Sequence, residues 1–239
     1  MLRFTAVGVH ANGFADPLLE GLDFTLSAGE ALTLAGPPGC GKSTALTLVA
    51  GGLKPTFGTV EFDGIDVAGL RGEALALHRR RIGFLPQRGG LLSNLTLADN
   101  ISLPLRYHRG ASDAEVAATL KGIFRLFEVD DPPTVQASYA SATWRWIAAL
   151  ARALVLEPAL LVVDDLGEEL EVTDREDLWR LLWRVHAERG FAVLAATSDA
   201  AAARTLGDRV LALPGRRQVN FRILRASAMT LNPYTPSAP

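Results

Sequence analysis

One nine-residue segment restricts the fold of this chain more than any other feature. Residues 36–44 read GPPGCGKST, which is a complete G-x-x-x-x-G-K-[ST] phosphate-binding loop. An apolar run at 31–35, typical of a buried strand, precedes the loop, and a helix-compatible run at 45–50 follows it. This strand–loop–helix order is the context that the motif requires. The sequence therefore predicts a site for the phosphate groups of a nucleotide at the start of a helix.

The residue types in the loop indicate how it would hold phosphate and magnesium. Glycines let the backbone curl so that successive N–H groups point at an anion beside the helix N-terminus. Lys42 is expected to reach the β- and γ-phosphates, Ser43 to ligate Mg²⁺, and Thr44 to bond a more interior phosphate. The loop residues expected to bind nucleotide are Gly36, Gly39, Gly41, Lys42, Ser43 and Thr44.

A second apolar strand supplies a carboxylate for the same site. Residues 160–164 read LLVVD, four apolar residues closed by Asp164. In phosphate-loop proteins a carboxylate at this place holds Mg²⁺, usually through water. We therefore expect Asp164 to be a magnesium residue.

Composition narrows the class of protein. The chain has 239 residues, 49% of them hydrophobic and 21% charged, which is ordinary for a globular protein. Its formal net charge of −2 offers no electrostatic basis for binding nucleic acid, and no such partner is expected. The single cysteine, Cys40, excludes an internal disulfide. No apolar run reaches the roughly 18 residues of a membrane span, and residues 1–5 lead straight into a strand pattern, so no signal peptide is expected.

The pattern along the chain predicts an α/β protein of the phosphate-loop NTPase (RecA-like) class. We expect a mainly parallel sheet core, an antiparallel β subdomain and an inserted α-helical subdomain. One domain would span 1–231, with its core at 1–87 and 159–215 and its helical part at about 88–158. Residues 232–239, rich in proline, are expected to form a disordered tail. His78 and His108 have no ligand-like neighbours and are expected at the surface.

In this order of elements, residues 2–215 resemble the ATP-binding subunits of ABC transporters. Phe14 lies where that family places an aromatic residue that stacks on adenine, and Gln87 matches the glutamine of its Q-loop. The run ALARAL at 149–154 matches the helix after the family's signature sequence. The resemblance implies that Gln87 contacts Mg²⁺ or the attacking water, which makes it both a metal and a catalytic candidate.

Compared with the family, the chain is altered in four groups that govern hydrolysis: the signature, the base, the switch and the dimer loop. In the dimer loop, residues 168–171, which read EELE, replace the usual Ser-Ala-Leu-Asp. The signature Leu-Ser-Gly-Gly-Gln falls on residues 140–144, which read ASATW, so only Ser141 is retained to contact the ATP of a partner subunit. Asp165 replaces the catalytic glutamate and is shorter by one C–C bond, about 1.5 Å. Ser198 stands at the position of the switch histidine. Glu168 or Glu169 could in principle act as the base, although their position beyond the strand end argues against it.

The cluster of Trp144, Arg145 and Trp146 has two interpretations. It forms either a contact different from that of the usual signature or, the interpretation that we favour, aromatic packing at an interface or in the core. The stretch at 99–106, DNISLPLR, is similar to the ATPases of bacterial lipid-trafficking (Mla/Mce-type) transporters. This finer resemblance implies lipid transport and lipid-binding accessory proteins.

The resemblance implies ATP and Mg²⁺ as cofactors and two kinds of protein partner. These are integral membrane permease subunits and a second ATP-binding subunit, identical or different, on the cytoplasmic face of the inner membrane, where the chain would be peripheral. The altered positions imply slow or absent hydrolysis. The alternatives are a non-hydrolysing structural or regulatory subunit of a membrane complex, and a soluble ABC protein of translation or DNA repair, for which 239 residues leave little room.

Overall fold

A computed structural model of the chain describes residues 1–10, 17–130, 132–199, 203 and 207–215, and the backbone of a strand at 222–225. Phe14 and the tail at 232–239 lie outside the described residues, so neither expectation about them is tested.

A six-stranded sheet forms the centre of the molecule. Its strand order is β10-β9-β3-β8-β7-β6, in which all neighbours are parallel except the antiparallel pair of β10 and β9. The strands are β3 (Ala31–Ala35), β6 (Ile82–Leu85), β7 (Leu160–Asp164), β8 (Ala192–Thr197), β9 (Arg209–Ala212) and β10 (Arg222–Arg225). Because β3, β7 and β8 run in parallel, their carboxyl ends meet at one edge, where ligands bind in sheets of this kind.

A second, antiparallel sheet of four strands has the order β2-β1-β4-β5. Its strands are β1 (Leu2–Val9), β2 (Leu19–Leu26), β4 (Phe57–Phe62) and β5 (Ile65–Asp66). Alternate residues of β2 are buried from Leu22 to Leu26, as the period of two in the sequence predicts.

Six α-helices complete the described structure. They are α1 (Lys42–Val49), α2 (Gly72–Arg80), α3 (Leu97–Arg109), α4 (Asp113–Leu126), α5 (Ala142–Leu154) and α6 (Val172–Arg189), and short 3₁₀ turns occupy Val67–Gly69 and Ala137–Tyr139. Helices α3, α4 and α5 lie between β6 and β7 in the chain, in the segment predicted to be helical. Ser112 and Glu115 cap α4 reciprocally, which confirms the predicted capping box.

The central sheet separates two hydrophobic cores. In β7, Leu161 and Val163 join the core shared with α3 to α6, whereas Leu160 and Val162 face the core shared with α1 and the antiparallel sheet. A strand buried on both faces explains why its sequence is continuously apolar rather than alternating.

The predicted fold class is confirmed, with local corrections. Helix α2 and strand β10 were not predicted, because neither has a clear hydrophobic period. The prediction that His78 lies at the surface was wrong, because its side chain is buried. One of its ring nitrogens lies 2.7 Å from the Val49 oxygen at the end of α1. Among the described residues, no helix is long and apolar enough to cross a membrane.

Candidate functional site

The phosphate loop connects β3 to α1 at the carboxyl edge of the central sheet. Gly41 caps α1 with φ of 99°, and Gly39 has φ of 77°, values that favour glycine. A Cβ atom on Gly36 would lie 2.5 Å from the Leu213 oxygen, so backbone contact also restricts that position to glycine. The three glycines of the loop, two of them fixed by the motif, are therefore each required by its conformation or by its close packing.

Lys42 is buried and turned back over its own loop. Its ammonium nitrogen donates to the Gly36 oxygen at 2.7 Å and to the Pro37 oxygen at 3.2 Å. A third bond, of 3.1 Å, runs from the same nitrogen to the hydroxyl of Ser198. The structure thus brings together the lysine predicted to bind phosphate and the residue at the predicted switch position.

Asp164 has one oxygen that no described residue satisfies. The side chain is 7% exposed, and its Oδ1 atom is buried without a hydrogen-bond partner. Burial raises the pKa of Asp164; the hydrogen bond from Ser43 opposes this rise, and the charge of Asp165 adds to it. An orphaned carboxylate oxygen beside the Ser43 hydroxyl fits a magnesium ion or its bound water.

No group of three or more His, Cys, Asp or Glu side chains in the described part of the chain could hold a metal ion by itself.

Both oxygens of the Asp165 carboxylate accept a hydrogen bond from the loop after β8. Its Oδ1 accepts from the Ser198 backbone N–H at 2.8 Å, and its Oδ2 accepts from the Ser198 hydroxyl at 3.3 Å. The Asp165 N–H donates to the Ala196 oxygen at 3.0 Å, and its φ is 45°, a conformation that is uncommon outside glycine. The residue at the position of the catalytic base is therefore tied to the residue at the position of the switch.

The side chain of Gln87 contacts Glu168. The Gln87 amide nitrogen donates to Glu168 Oε2 at 2.6 Å, although both side chains belong to exposed residues. Sequence reasoning argued against a role for Glu168 because it lies beyond the end of β7. The signal that could have located it is Gly167, whose φ of 68° reverses the chain directly before Glu168.

The residues at the signature position make contacts inside this chain. The Ser141 hydroxyl accepts from the Trp144 N–H at 3.2 Å and so caps α5, and the Thr143 hydroxyl donates to Asp174 of α6 at 2.9 Å. Trp146 is 1% exposed, and Trp144 packs against the same core. The burial of the two tryptophans supports their interpretation as packing residues. Ser141 makes its hydrogen bond within α5 and does not join the cluster around Lys42.

Sequence reasoning missed Arg152, which holds the segment after Gln87. Its guanidinium donates to the Gly89 oxygen at 2.7 Å and to the Gly90 oxygen at 2.9 Å, and both glycines have positive φ. The fork of an arginine suits two adjacent carbonyl groups. Helix α5 thereby fixes the loop that carries Gln87.

The fold and the site define a nucleotide-binding protein of the phosphate-loop class. The sequence profile described as ABC transporter matches residues 19–166, so the chain belongs to the ABC transporter family. It is 36% identical over 204 residues to the sulfate/thiosulfate import ATP-binding protein CysA of Caulobacter vibrioides, covering 84% of this chain and 59% of that protein. It is 31% identical over 201 residues to a methionine import ATP-binding protein MetN of Latilactobacillus sakei, covering 84% and 58%.

Solved structures agree with the assignment. The ATP-binding cassette MJ0796, in a dimeric post-hydrolysis state bound to ADP and Pi, superposes with a TM-score of 0.82 at 28% identity, over 94% of this chain and 99% of that one. The chain spans under two thirds of the length of the two import proteins named above.

Proposed function

We propose that this chain is the ATP-binding subunit of a bacterial ABC transporter, which binds Mg-ATP to drive or gate a membrane permease. The observation that carries the proposal is the convergence of Lys42, Ser43 and Asp164 at one edge of the sheet, with a buried carboxylate oxygen left unsatisfied. Family membership and the import ATP-binding proteins among its relatives support it.

The contacts of Lys42 indicate how its side chain would respond to nucleotide. Its ammonium group now bonds two loop carbonyls and the Ser198 hydroxyl. Phosphate oxygens carry more negative charge than these neutral acceptors and form stronger hydrogen bonds with an ammonium group. Bound Mg²⁺ would neutralise phosphate charge, with Ser43 and Asp164 as its protein residues and Gln87 within the same group of loops.

Slow hydrolysis is the second part of the proposal. Both oxygens of Asp165 are engaged by Ser198, and Ser198 lacks the imidazole that the family uses at this position. A specific alternative follows from the same contacts: the chain would bind nucleotide without hydrolysing it and would act as a structural or regulatory subunit. The signature segment strengthens that alternative, because Thr143 is bonded to its own chain rather than free to approach a partner.

The proposed partners are a second ATP-binding subunit and permease subunits, at the cytoplasmic face of the cell membrane. Support for the first comes from the dimeric state of the MJ0796 cassette. In such a dimer Ser141 would face the ATP of the other subunit, at the exposed N-terminus of α5.

A lipid cargo, with lipid-binding accessory proteins, rests on the DNISLPLR stretch alone. The structure gives several of these residues folding roles: Asn100 is buried and hydrogen-bonded to residues 92–96, Leu105 is in the core, and Arg106 pairs with Asp113. Relatives named for a cargo import sulfate, thiosulfate or methionine. Transfer of labelled phospholipid by the reconstituted complex, measured beside uptake of sulfate and methionine, distinguishes these cargoes.

The test is purification of the native complex with its permease, followed by measurement of steady-state ATP hydrolysis and transport. We expect co-purification and slow turnover that Lys42→Ala abolishes. Nucleotide binding without any turnover would establish the regulatory alternative. A chain that neither binds Mg-ATP nor associates with a membrane protein would overturn both functions.

A further inference from the structure

Asp165, at the position of the family's catalytic base, has a structural role. Asp165 accepts two hydrogen bonds from Ser198, one to each oxygen, and its own backbone is held to β8. Ser198 in turn accepts from Lys42. These bonds hold Asp165 against the loop after β8 and fix the direction of its carboxylate, and a buried group that loses its partner costs about 1–3 kcal/mol.

A second carboxylate lies on the open side of the same group of loops. The residues after Asp165 form a tight turn, in which the Glu168 N–H donates to the Asp165 oxygen at 3.3 Å and Gly167 takes positive φ. This turn directs Glu168 back toward β6, where the Gln87 amide holds one of its oxygens at 2.6 Å. The other oxygen, Oε1, accepts no hydrogen bond from the residues that the structure describes.

Glu168 is also close enough to the magnesium residue to influence it. The negative charge of Glu168 contributes to the raised pKa of Asp164, as does that of Asp165, and the positive charge of Lys42 opposes them. A cleft of about 230 Å³ is lined by Glu168, Asp165 and Ser198, so there is room for water beside these side chains. A glutamate, longer than aspartate by about 1.5 Å, can reach into this space from outside the strand end.

We infer that Glu168, held by Gln87, is the carboxylate that orients the attacking water in this chain, whereas Asp165 positions Ser198. The inference rests on the proposed function and adds a catalytic residue to it. In the reaction the water oxygen forms a bond to the terminal phosphorus, the bond from that phosphorus to the bridging oxygen breaks, and ADP and phosphate leave. Glu168 accepts a hydrogen bond from the water, whose displaced proton departs with the released phosphate.

The experiment compares three variants of the native complex: Glu168→Gln, Asp165→Asn and, as a matched control, Glu169→Gln. Glu169 is the adjacent exposed glutamate, 4.0 Å from Arg145 rather than beside Gln87. We expect Glu168→Gln to lower kcat about 10²-fold, the loss typical of a misplaced reacting group, with KM nearly unchanged. Asp165→Asn should lower turnover less than Glu168→Gln does and should unfold at a lower temperature, and Glu169→Gln should match the parent.

A second readout is independent of turnover. In the nucleotide-free protein, the side-chain amide resonance of Gln87 should shift in Glu168→Gln and stay in place in Glu169→Gln. Equilibrium binding of Mg-ATP should remain the same in both, with the bound nucleotide recovered as ATP from Glu168→Gln.

Loss of turnover in Asp165→Asn with normal turnover in Glu168→Gln would overturn the inference, as would an unshifted Gln87 resonance. A parent complex that binds Mg-ATP and never hydrolyses it would also overturn it and leave nucleotide binding intact. Failure of the parent chain to bind Mg-ATP would instead be a failure of the proposed function.

Discussion

Single residues of the phosphate loop could be predicted because their roles depend on local spacing. The positions of Gly36, Gly41 and Lys42 relative to one another determine the loop, and the structure gives each a conformational or hydrogen-bonding reason. Glu168 could not be placed in the same way. Its approach to Gln87 depends on a turn and on a loop more than 80 positions earlier in the chain, and neither is visible in a local pattern.

At the residue scale, Asp164→Asn should separate stability from metal binding. Burial raises the pKa of Asp164 above its ordinary value of 3.8, so the folded chain holds this proton more tightly than the unfolded chain. Its contribution to stability is therefore present below pH 3.8 and is lost as the pH rises through the folded pKa. We expect Asp164→Asn to raise the free energy of unfolding of the nucleotide-free protein at pH 7, measured in urea.

The same variant should weaken the Mg²⁺ dependence of ATP binding by about 10–100-fold, the range seen when residues that support a metal are changed. Calorimetry at several Mg²⁺ concentrations measures this, with the exposed Asp177→Asn as the control. A destabilised Asp164→Asn would contradict the cost that we assign to burial of this carboxylate, and an unchanged Mg²⁺ dependence would contradict the magnesium assignment.

Elements were predicted where their hydrophobic period was clear. The apolar runs of β3 and β7 and the capped helix α4 were all recognisable, whereas α2 has little apolar character and depends on contacts of His78 and Arg79 with the end of α1. In the segment around Asn100, the sequence suggested a function for residues that have folding roles in the structure. Its sequence resembled a transporter subtype, and the structure explains much of it through folding contacts.

Asn100→Ala should be among the most destabilising single changes in the helical segment. Its amide group bonds the Leu92 backbone through both its oxygen and its nitrogen and also contacts the Thr96 oxygen, in a fully buried position. Alanine would remove these three hydrogen bonds, each of which contributes about 0.5–1.5 kcal/mol. Urea unfolding should show a loss above 2 kcal/mol, and the exposed Asn94→Ala should show almost none. Equal stability of the two variants would contradict this role.

Arg152→Lys should loosen the loop that carries Gln87 while leaving α5 folded. The guanidinium donates to two adjacent carbonyl groups, which one ammonium group cannot reproduce in the same geometry. Charged hydrogen bonds contribute about 1.5–3 kcal/mol, so we expect a stability loss within that range. Hydrogen exchange should become faster at residues 87–92. Unchanged exchange there, with a loss elsewhere, would show that Arg152 does not hold this loop.

At the scale of the whole molecule, the fold serves to bring distant parts of the sequence to one edge of a sheet. The phosphate loop, the end of β7 and the loop after β8 meet because β3, β8 and β7 are neighbours, an order that the chain sequence does not follow. A motif and an apolar strand ending in aspartate were sufficient to predict that the phosphate loop and the end of β7 would meet, whereas the loop after β8 was placed only by the family resemblance. They were insufficient to predict that Ser198 would join Lys42 to Asp165, because that contact depends on strand order.

The most direct test of nucleotide binding at this edge is calorimetric titration of the purified full chain with Mg-ATP, comparing the parent with Lys42→Ala. Lys54→Ala, an exposed lysine outside the loop, is the matched control. We expect binding by the parent and by Lys54→Ala, and at least a 100-fold weaker affinity, about 2.7 kcal/mol, in Lys42→Ala. Equal binding by Lys42→Ala and the parent, or no binding by either, would contradict the site described above.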